Sequence, residues 1–151
     1  MKKLQRRKEK GPAVALNPEG VFENTGKFSA IKISQGELPA TIFNISSLVS
    51  IDLVYNEISG IIPENICSQS AKLERLGLYR NRIYGEIPSG LTRCRMLQTL
   101  SLSFNQLMGS IPTEIENLSS LHYAALSRNN FSGIIPLSIG NMSEFDDIGL
   151  E

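Results

Sequence analysis

The sequence is poor in the residues that most often carry chemistry. It contains one histidine, two cysteines and no tryptophan among 151 residues. One histidine and two cysteines cannot complete the usual four-ligand zinc site, and no glycine-rich phosphate-binding loop is present. Spacing places no serine or cysteine beside His122, so a catalytic triad is unsupported. We therefore expect neither an enzyme nor a bound metal or cofactor.

An excess of charge and long apolar runs are also missing. The formal net charge is zero, so no overall basic field is present to attract nucleic acid. No stretch approaches the roughly 20 apolar residues of a membrane span. The first ten residues hold six basic residues and one acidic residue, but no run of about 7–15 apolar residues follows, as a secretory signal requires. We interpret residues 1–33 as a basic, disordered leader.

What the sequence does contain is a repeated pattern. Prolines 39, 63, 88, 112 and 136 recur every 24 residues, with one step of 25. A period in this range is typical of a solenoid, in which similar units stack. Full copies begin at residues 48, 73, 97 and 121. A half copy covers residues 34–47, and a truncated copy covers residues 145–151.

Each residue type in the repeat has a physical role. Leu97 stands in the turn that leads into a short strand, and strand alternation sends Leu100 and Leu102 to one side, where stacked units bury a continuous core. Apolar residues stand three positions after the repeat prolines and, except after Pro63, six positions after them, which predicts a 3₁₀ turn that packs inward. An asparagine stands where each strand ends, and its amide can satisfy backbone groups that the bend leaves unpaired. We predict a structural asparagine ladder formed by Asn56, Asn81, Asn105 and Asn129.

The segments SGIIP, YGEIP, MGSIP and SGIIP resemble the plant-specific leucine-rich repeat, as found in the extracellular domains of plant receptor-like serine/threonine kinases. The resemblance covers roughly residues 36–150. It implies an α/β repeat fold: a leucine-rich repeat solenoid with a parallel sheet on the concave face and 3₁₀ and loop segments on the convex face. It also implies a location at the extracellular face of the plasma membrane. Kinase activity would belong to a full-length parent receptor.

The function implied by this resemblance is protein or peptide binding in signalling or defence. The partner would be a peptide or protein ligand, or a co-receptor ectodomain. One alternative is a stand-alone secreted inhibitor of an enzyme such as polygalacturonase, which the same repeat subtype also serves. Another is a non-functional gene fragment, because the last copy stops at Glu151 in mid-strand.

Binding is expected on the outward positions of the concave sheet. Aromatic and arginine residues are enriched where interfaces carry binding energy. In a second interpretation, the same side chains only stack on one another through cation–π contacts on a solvated surface. The candidate ligand-binding residues are Tyr55, Tyr79, Arg80, Phe104, Tyr123 and Arg128.

Two further features depend on the cellular compartment. Cys67 and Cys94 are 27 residues apart, which is not a whole repeat, so they are not obviously opposite each other. We favour a small buried thiol for Cys94; the alternative is a disulfide between the two cysteines in a secreted chain. Asn-x-Ser triplets would accept glycans in a secreted chain, and they begin at Asn44, Asn117, Asn130 and Asn141.

Overall fold

The computed structural model describes residues 13–15, 30–32, 35–137 and 139. Within these residues the chain alternates short strands with tight turns, and its helices are of the 3₁₀ type. The strands are β1 (Ala13–Ala15), β2 (Ala30–Lys32), β3 (Gln35–Glu37), β4 (Ser50–Asp52), β5 (Glu57–Gly60), β6 (Arg75–Gly77), β7 (Arg82–Gly85), β8 (Thr99–Ser101), β9 (Gln106–Gly109), β10 (Tyr123–Ala125) and β11 (Asn130–Phe131).

The predicted concave sheet is present. It contains four parallel strands in the order β10-β8-β6-β4. The register joins equivalent repeat positions, so that Ile51 lies opposite Leu76, and Leu76 opposite Leu100. Each residue stacks on its counterpart in the next repeat. Residues at equivalent positions of the repeat therefore form a column across the sheet.

A second parallel sheet, which the sequence did not lead us to predict, lies beyond the asparagine of each repeat. Its strand order is β11-β9-β7-β5-β3. These strands are built from the residues between each asparagine and the following glycine. Their alternation buries Ile58, Ile83 and Leu107, so this sheet packs on the same core as the concave one.

The convex side confirms the predicted turns. The 3₁₀ helices Ala40–Asn44, Ser89–Arg93 and Thr113–Asn117 each begin directly after a proline. They bury the apolar residue three positions after that proline, such as Leu91 and Ile115. After Pro63 the chain instead forms a turn over residues 64–68. This is the repeat whose proline-to-proline step is one residue longer.

The core is the continuous leucine stack that the repeat predicts. The first, fourth and sixth positions of the four full repeats are at most 2% exposed. Phe43, from the half repeat, is fully buried against them. The core therefore extends along the whole stack of repeats and has no separate centre.

Two short strands lie inside the segment that we interpreted as a disordered leader. β1 pairs in parallel with β2, with Ala13 opposite Ala30, and β2 lies beside β4. In the later repeats the second strand begins seven residues after the first, whereas β3 begins five residues after β2. A template of constant spacing therefore missed β2. The other residues of the predicted leader, and the truncated repeat 145–151, lie outside the described residues.

Candidate functional site

The candidate site is a ridge that runs along the C-terminal ends of the strands of the concave sheet. It is formed by Tyr55, Tyr79, Arg80, Phe104 and Arg128, and we call it the aromatic–arginine ridge. Each of these residues follows the concave strand of its repeat and precedes the ladder asparagine. Tyr123, the sixth candidate residue, lies instead on β10, opposite Thr99.

The backbone of the ridge has an unusual conformation that repeats four times. Tyr55, Arg80, Phe104 and Arg128 have φ between 56° and 58°, in the left-handed region. Residues other than glycine rarely adopt this conformation, because it costs roughly 1–2 kcal/mol per residue. Here the bend directs consecutive N–H groups to the next repeat: Arg80 donates to the Ser103 carbonyl at 3.0 Å and Asn81 to the Phe104 carbonyl at 3.2 Å. These inter-repeat hydrogen bonds hold the strained bend in place.

The asparagines behind the ridge form hydrogen bonds in a ladder. The Asn105 side-chain oxygen accepts from the Ile83 N–H at 3.0 Å, and its Nδ2 donates to the Leu78 and Leu102 carbonyls at 2.8 and 2.9 Å. Asn81 and Asn129 make the equivalent contacts one repeat away. Each of these three amides therefore joins two repeats and fixes the bend from which a ridge side chain projects. Asn56 donates to the Leu53 and Val54 carbonyls of its own repeat.

The ridge side chains contact one another in a continuous row. The Tyr79 ring centroid lies 5.1 Å from that of Tyr55 and 5.3 Å from that of Phe104, and both pairs are edge-to-face. The Arg80 guanidinium carbon lies 4.9 Å from the Phe104 centroid and 5.6 Å from the Tyr55 centroid. Arg128 continues the row at 5.9 Å from Phe104. The cation–π stacking of the second interpretation is therefore present.

Stacking does not remove the ridge from solvent. Tyr55 is 67% exposed and Phe104 is 38% exposed. Tyr123, on β10 of the concave sheet, is 38% exposed. Exposed aromatic rings held in fixed positions are typical of recognition surfaces.

The structure corrects our expectation for the cysteines. Cys67 and Cys94 form a disulfide, with their Cα atoms 5.3 Å apart. The Leu73 N–H donates to the Ser70 carbonyl just as the Leu97 N–H donates to the Cys94 carbonyl, so Ser70 is the true repeat equivalent of Cys94. The additional residue lies between Ile66 and Ser70, because Ile66 bonds to the Pro63 carbonyl just as Leu91 bonds to the Pro88 carbonyl. Cys67 lies in this altered turn, from which it bonds to Cys94. The 25-residue proline step was the sequence signal for this displacement.

The convex face carries a polar cleft that the sequence did not predict. Its volume is about 390 Å³, and it lies between the 3₁₀ helices Ser89–Arg93 and Thr113–Asn117. We call it the convex cleft; its lining residues are Ser89, Thr92, Arg93, Arg95, Glu114 and Asn117. One feature of the sequence could have indicated the cleft. Arg93 and Asn117 both stand five residues after a proline, so they occupy equivalent positions of adjacent repeats on the convex face.

The remaining candidate residues lie apart from the ridge. Asn44 and Asn117 are exposed at the last residue of their 3₁₀ helices, and Asn130 is exposed on β11. Asn141 lies outside the described residues. His122 is exposed, and its Nδ1 contacts the Ser120 carbonyl. In the described ranges, no helix is long and apolar enough to cross a membrane.

Comparison with known proteins agrees with this geometry. The family model described as Leucine Rich Repeat matches residues 47–69, 72–94, 96–118 and 120–142. No curated protein matches the chain.

Solved structures of plant ectodomains match closely in shape. The BIR2 ectodomain from Arabidopsis thaliana is 35% identical with a TM-score of 0.67; the match covers 70% of this chain and 55% of that one. The ectodomain of the receptor kinase GASSHO1/SCHENGEN3 from the same plant is 32% identical with a TM-score of 0.75, over 82% of this chain and 15% of that one.

A third match is the Arabidopsis receptor kinase HAESA in complex with the peptide hormone IDA and the co-receptor SERK1. It is 31% identical with a TM-score of 0.75, over 81% of this chain and 22% of that one. The chain thus spans only part of each of these proteins, and the matched part is an ectodomain, a ligand-binding module and not a catalytic one. The chain belongs to the leucine-rich repeat family, and its structural relatives are the ectodomains of plant receptor kinases.

Proposed function

We propose that the aromatic–arginine ridge, together with Tyr123, binds an extracellular peptide or a partner ectodomain. The observation that carries this proposal is a row of stacked rings and guanidinium groups in which Tyr55, Phe104 and the arginines are exposed and Tyr79 is half-buried. Two of the matched structures support it: GASSHO1/SCHENGEN3 is in complex with CASPARIAN STRIP INTEGRITY FACTOR 2, and HAESA is in complex with IDA and SERK1.

The rigidity of the ridge is what makes it suitable for recognition. Inter-repeat hydrogen bonds and the asparagine ladder fix the backbone, and neighbouring rings limit the rotamers of each side chain. Less conformational entropy is then lost when a ligand binds. With neighbouring strands about 4.8 Å apart, four repeats place the ridge over roughly 15 Å, which suits a short extended peptide.

A location outside the cell is part of the proposal. Disulfides persist in oxidising compartments and are rare in the cytosol, and Cys67 and Cys94 are bonded. The parent protein would be a membrane-anchored glycoprotein with a role in signalling or defence, as a receptor-like kinase.

Binding can be tested with purified components. The full chain would be titrated by calorimetry against a panel that contains the peptide hormone IDA, CASPARIAN STRIP INTEGRITY FACTOR 2 and the SERK1 ectodomain. For a partner that binds, we expect Tyr79→Ala and Phe104→Ala each to weaken the affinity at least about 10-fold, as residues at the centre of an interface do.

Tyr84 provides the matched control. It is a tyrosine of the same repeat as Tyr79 and is 45% exposed, but it lies on β7 of the second sheet. Tyr84→Ala should leave the affinity unchanged. Equal losses for Tyr79→Ala and Tyr84→Ala, or unchanged affinity in both ridge variants, would contradict the assignment of the site.

A further inference from the structure

The convex cleft offers both donors and acceptors of hydrogen bonds. Arg93, Arg95 and Glu114 are among the residues that line it. A guanidinium group only donates and a carboxylate only accepts, and the Glu114 carboxylate already accepts from the Thr113 hydroxyl at 3.1 Å. In the described part of the chain neither arginine forms an ion pair. A ligand for this cleft must therefore both donate and accept, as a neutral sugar ring with hydroxyl and amide groups does.

The hydroxyl groups of the cleft already have partners. Ser89 donates its hydroxyl to Glu64 at 2.6 Å, and Thr92 donates to the Ser89 carbonyl at 2.7 Å. Both hydroxyl oxygens are left with lone pairs that can accept. The volume of about 390 Å³ is at the lower end of the 300–1,000 Å³ typical of small-molecule sites, which suits one or two sugar rings.

One glycan acceptor is itself part of the wall of this cleft. Asn117 begins the triplet Asn-Leu-Ser, is exposed, and ends the 3₁₀ helix Thr113–Asn117. It lines the cleft together with Arg93, the residue at the equivalent position of the preceding repeat. Asn44 and Asn130 do not line the cleft. Among the acceptors in the described residues, Asn117 is thus the one whose first sugar would start at the wall of this cleft.

We infer that Asn117 carries an N-linked glycan whose first N-acetylglucosamine lies in the convex cleft. In the attachment step the Asn117 side-chain amide loses a proton and its nitrogen bonds to the anomeric carbon, while the diphosphate of the lipid-linked oligosaccharide donor leaves. Arg93 and Arg95 donate to oxygens of the sugar, and Glu114 accepts from its hydroxyl or amide group. The sugar then joins two adjacent repeats on the convex side and leaves the aromatic–arginine ridge uncovered.

This inference rests on the proposed extracellular function, because N-glycans are added in the secretory pathway. The test therefore supplies a cleavable secretion leader to the full chain, so that its outcome does not depend on the natural location or on a ligand. Expression in mammalian cells restricted to high-mannose glycans, followed by endoglycosidase H, leaves one N-acetylglucosamine at each occupied site. Glycopeptide mass spectrometry should then find Asn117 occupied.

A thermodynamic cycle tests the contact. We expect Asn117→Gln to lower the melting temperature of the trimmed protein by about 2–4 °C, the shift that loss of one or two hydrogen bonds gives in a domain of this size. Arg93→Ala should lower it similarly, and the double variant should fall no further than either single variant.

Asn44→Gln provides the control, since its effect should simply add to that of Arg93→Ala. An unoccupied Asn117 in a chain that is glycosylated at Asn44 would overturn the inference. So would additive effects of Asn117→Gln and Arg93→Ala. Neither result would contradict the proposed ligand binding, because that proposal is tested by separate measurements on the concave face.

Discussion

At the residue scale, the asparagine ladder determines the local structure. The Asn105 side chain bonds to the Ile83 N–H and to the carbonyls of Leu78 and Leu102, which belong to two adjacent repeats. An amide carries both a donor and an acceptor, and no apolar residue can replace it. The bend and the left-handed residue before it depend on these bonds. The sequence predicted the ladder because asparagine recurs at a fixed position of the repeat.

We predict that Asn105→Ala lowers the free energy of unfolding by about 2–4 kcal/mol. The substitution leaves the Ile83 N–H without its side-chain acceptor, and an unsatisfied buried N–H costs about 1–3 kcal/mol. It also removes one of the two amide donors to each of the Leu78 and Leu102 carbonyls, which keep the amides of Asn81 and Asn129, and each lost hydrogen bond adds about 0.5–1.5 kcal/mol. Urea denaturation followed by circular dichroism measures the change. Asn130→Ala is the control: this exposed asparagine should change stability by at most about 0.5 kcal/mol. Equal costs for both would contradict the ladder's role.

The side chains of the ridge could be assigned to the surface from the sequence, and their cation–π stacking was one of the two interpretations. The backbone conformation could not be predicted, because a sequence pattern gives positions and not dihedral angles. Val54 and Tyr55 are two outward residues in a row, and Tyr55 has a left-handed φ. The edge-to-face packing of Tyr79 between Tyr55 and Phe104 was likewise not predicted.

At the element scale, prediction succeeded where the repeat is regular and failed where its spacing changes. The concave strands and the 3₁₀ helices follow directly from alternation and from the prolines. β2 was missed because two fewer residues separate it from the next strand. The second sheet was missed because strands of two to four residues show too little alternation to be distinguished from a turn.

The Cys67–Cys94 bond links two neighbouring convex segments. A disulfide stabilises a protein mainly by restricting its unfolded state, and the effect grows with the length of the closed loop. Here 27 residues separate the two cysteines. Because Cys94 is 1% exposed and Cys67 8% exposed, both sulfur atoms also pack against the core.

We predict that the double variant Cys67→Ala and Cys94→Ala loses about 2–4 kcal/mol of unfolding free energy. A reductant should destabilise the natural protein by a similar amount and leave the double variant unchanged. Guanidinium denaturation with and without reductant provides both comparisons. A reductant effect that persists in the double variant would show that the disulfide is not its cause.

At the scale of the whole molecule, the fold is a stack in which each repeat contacts only its neighbours. One repeat cannot bury its own apolar face, and stacked repeats bury a continuous one. The same stacking that buries the leucines aligns the residues between them, so the core and the outward face of the concave sheet arise from one periodicity. The sequence could therefore predict the leucine core, while ligand binding on the outward face stays a prediction. The repeat pattern does not identify a ligand.

The most direct test of this account compares a residue of the stack with a residue of the ridge. Leu100 is fully buried and Phe104, four residues later, is 38% exposed. We predict that Leu100→Ala lowers the free energy of unfolding by roughly 2–5 kcal/mol because it leaves a cavity in the middle of the core. Phe104→Ala should lower it by no more than about 1 kcal/mol, since only surface stacking is lost. Urea denaturation of the two variants decides the matter: unchanged stability in Leu100→Ala, or unfolding of Phe104→Ala, would show that the inner and outer faces of the repeat have been assigned the wrong way round.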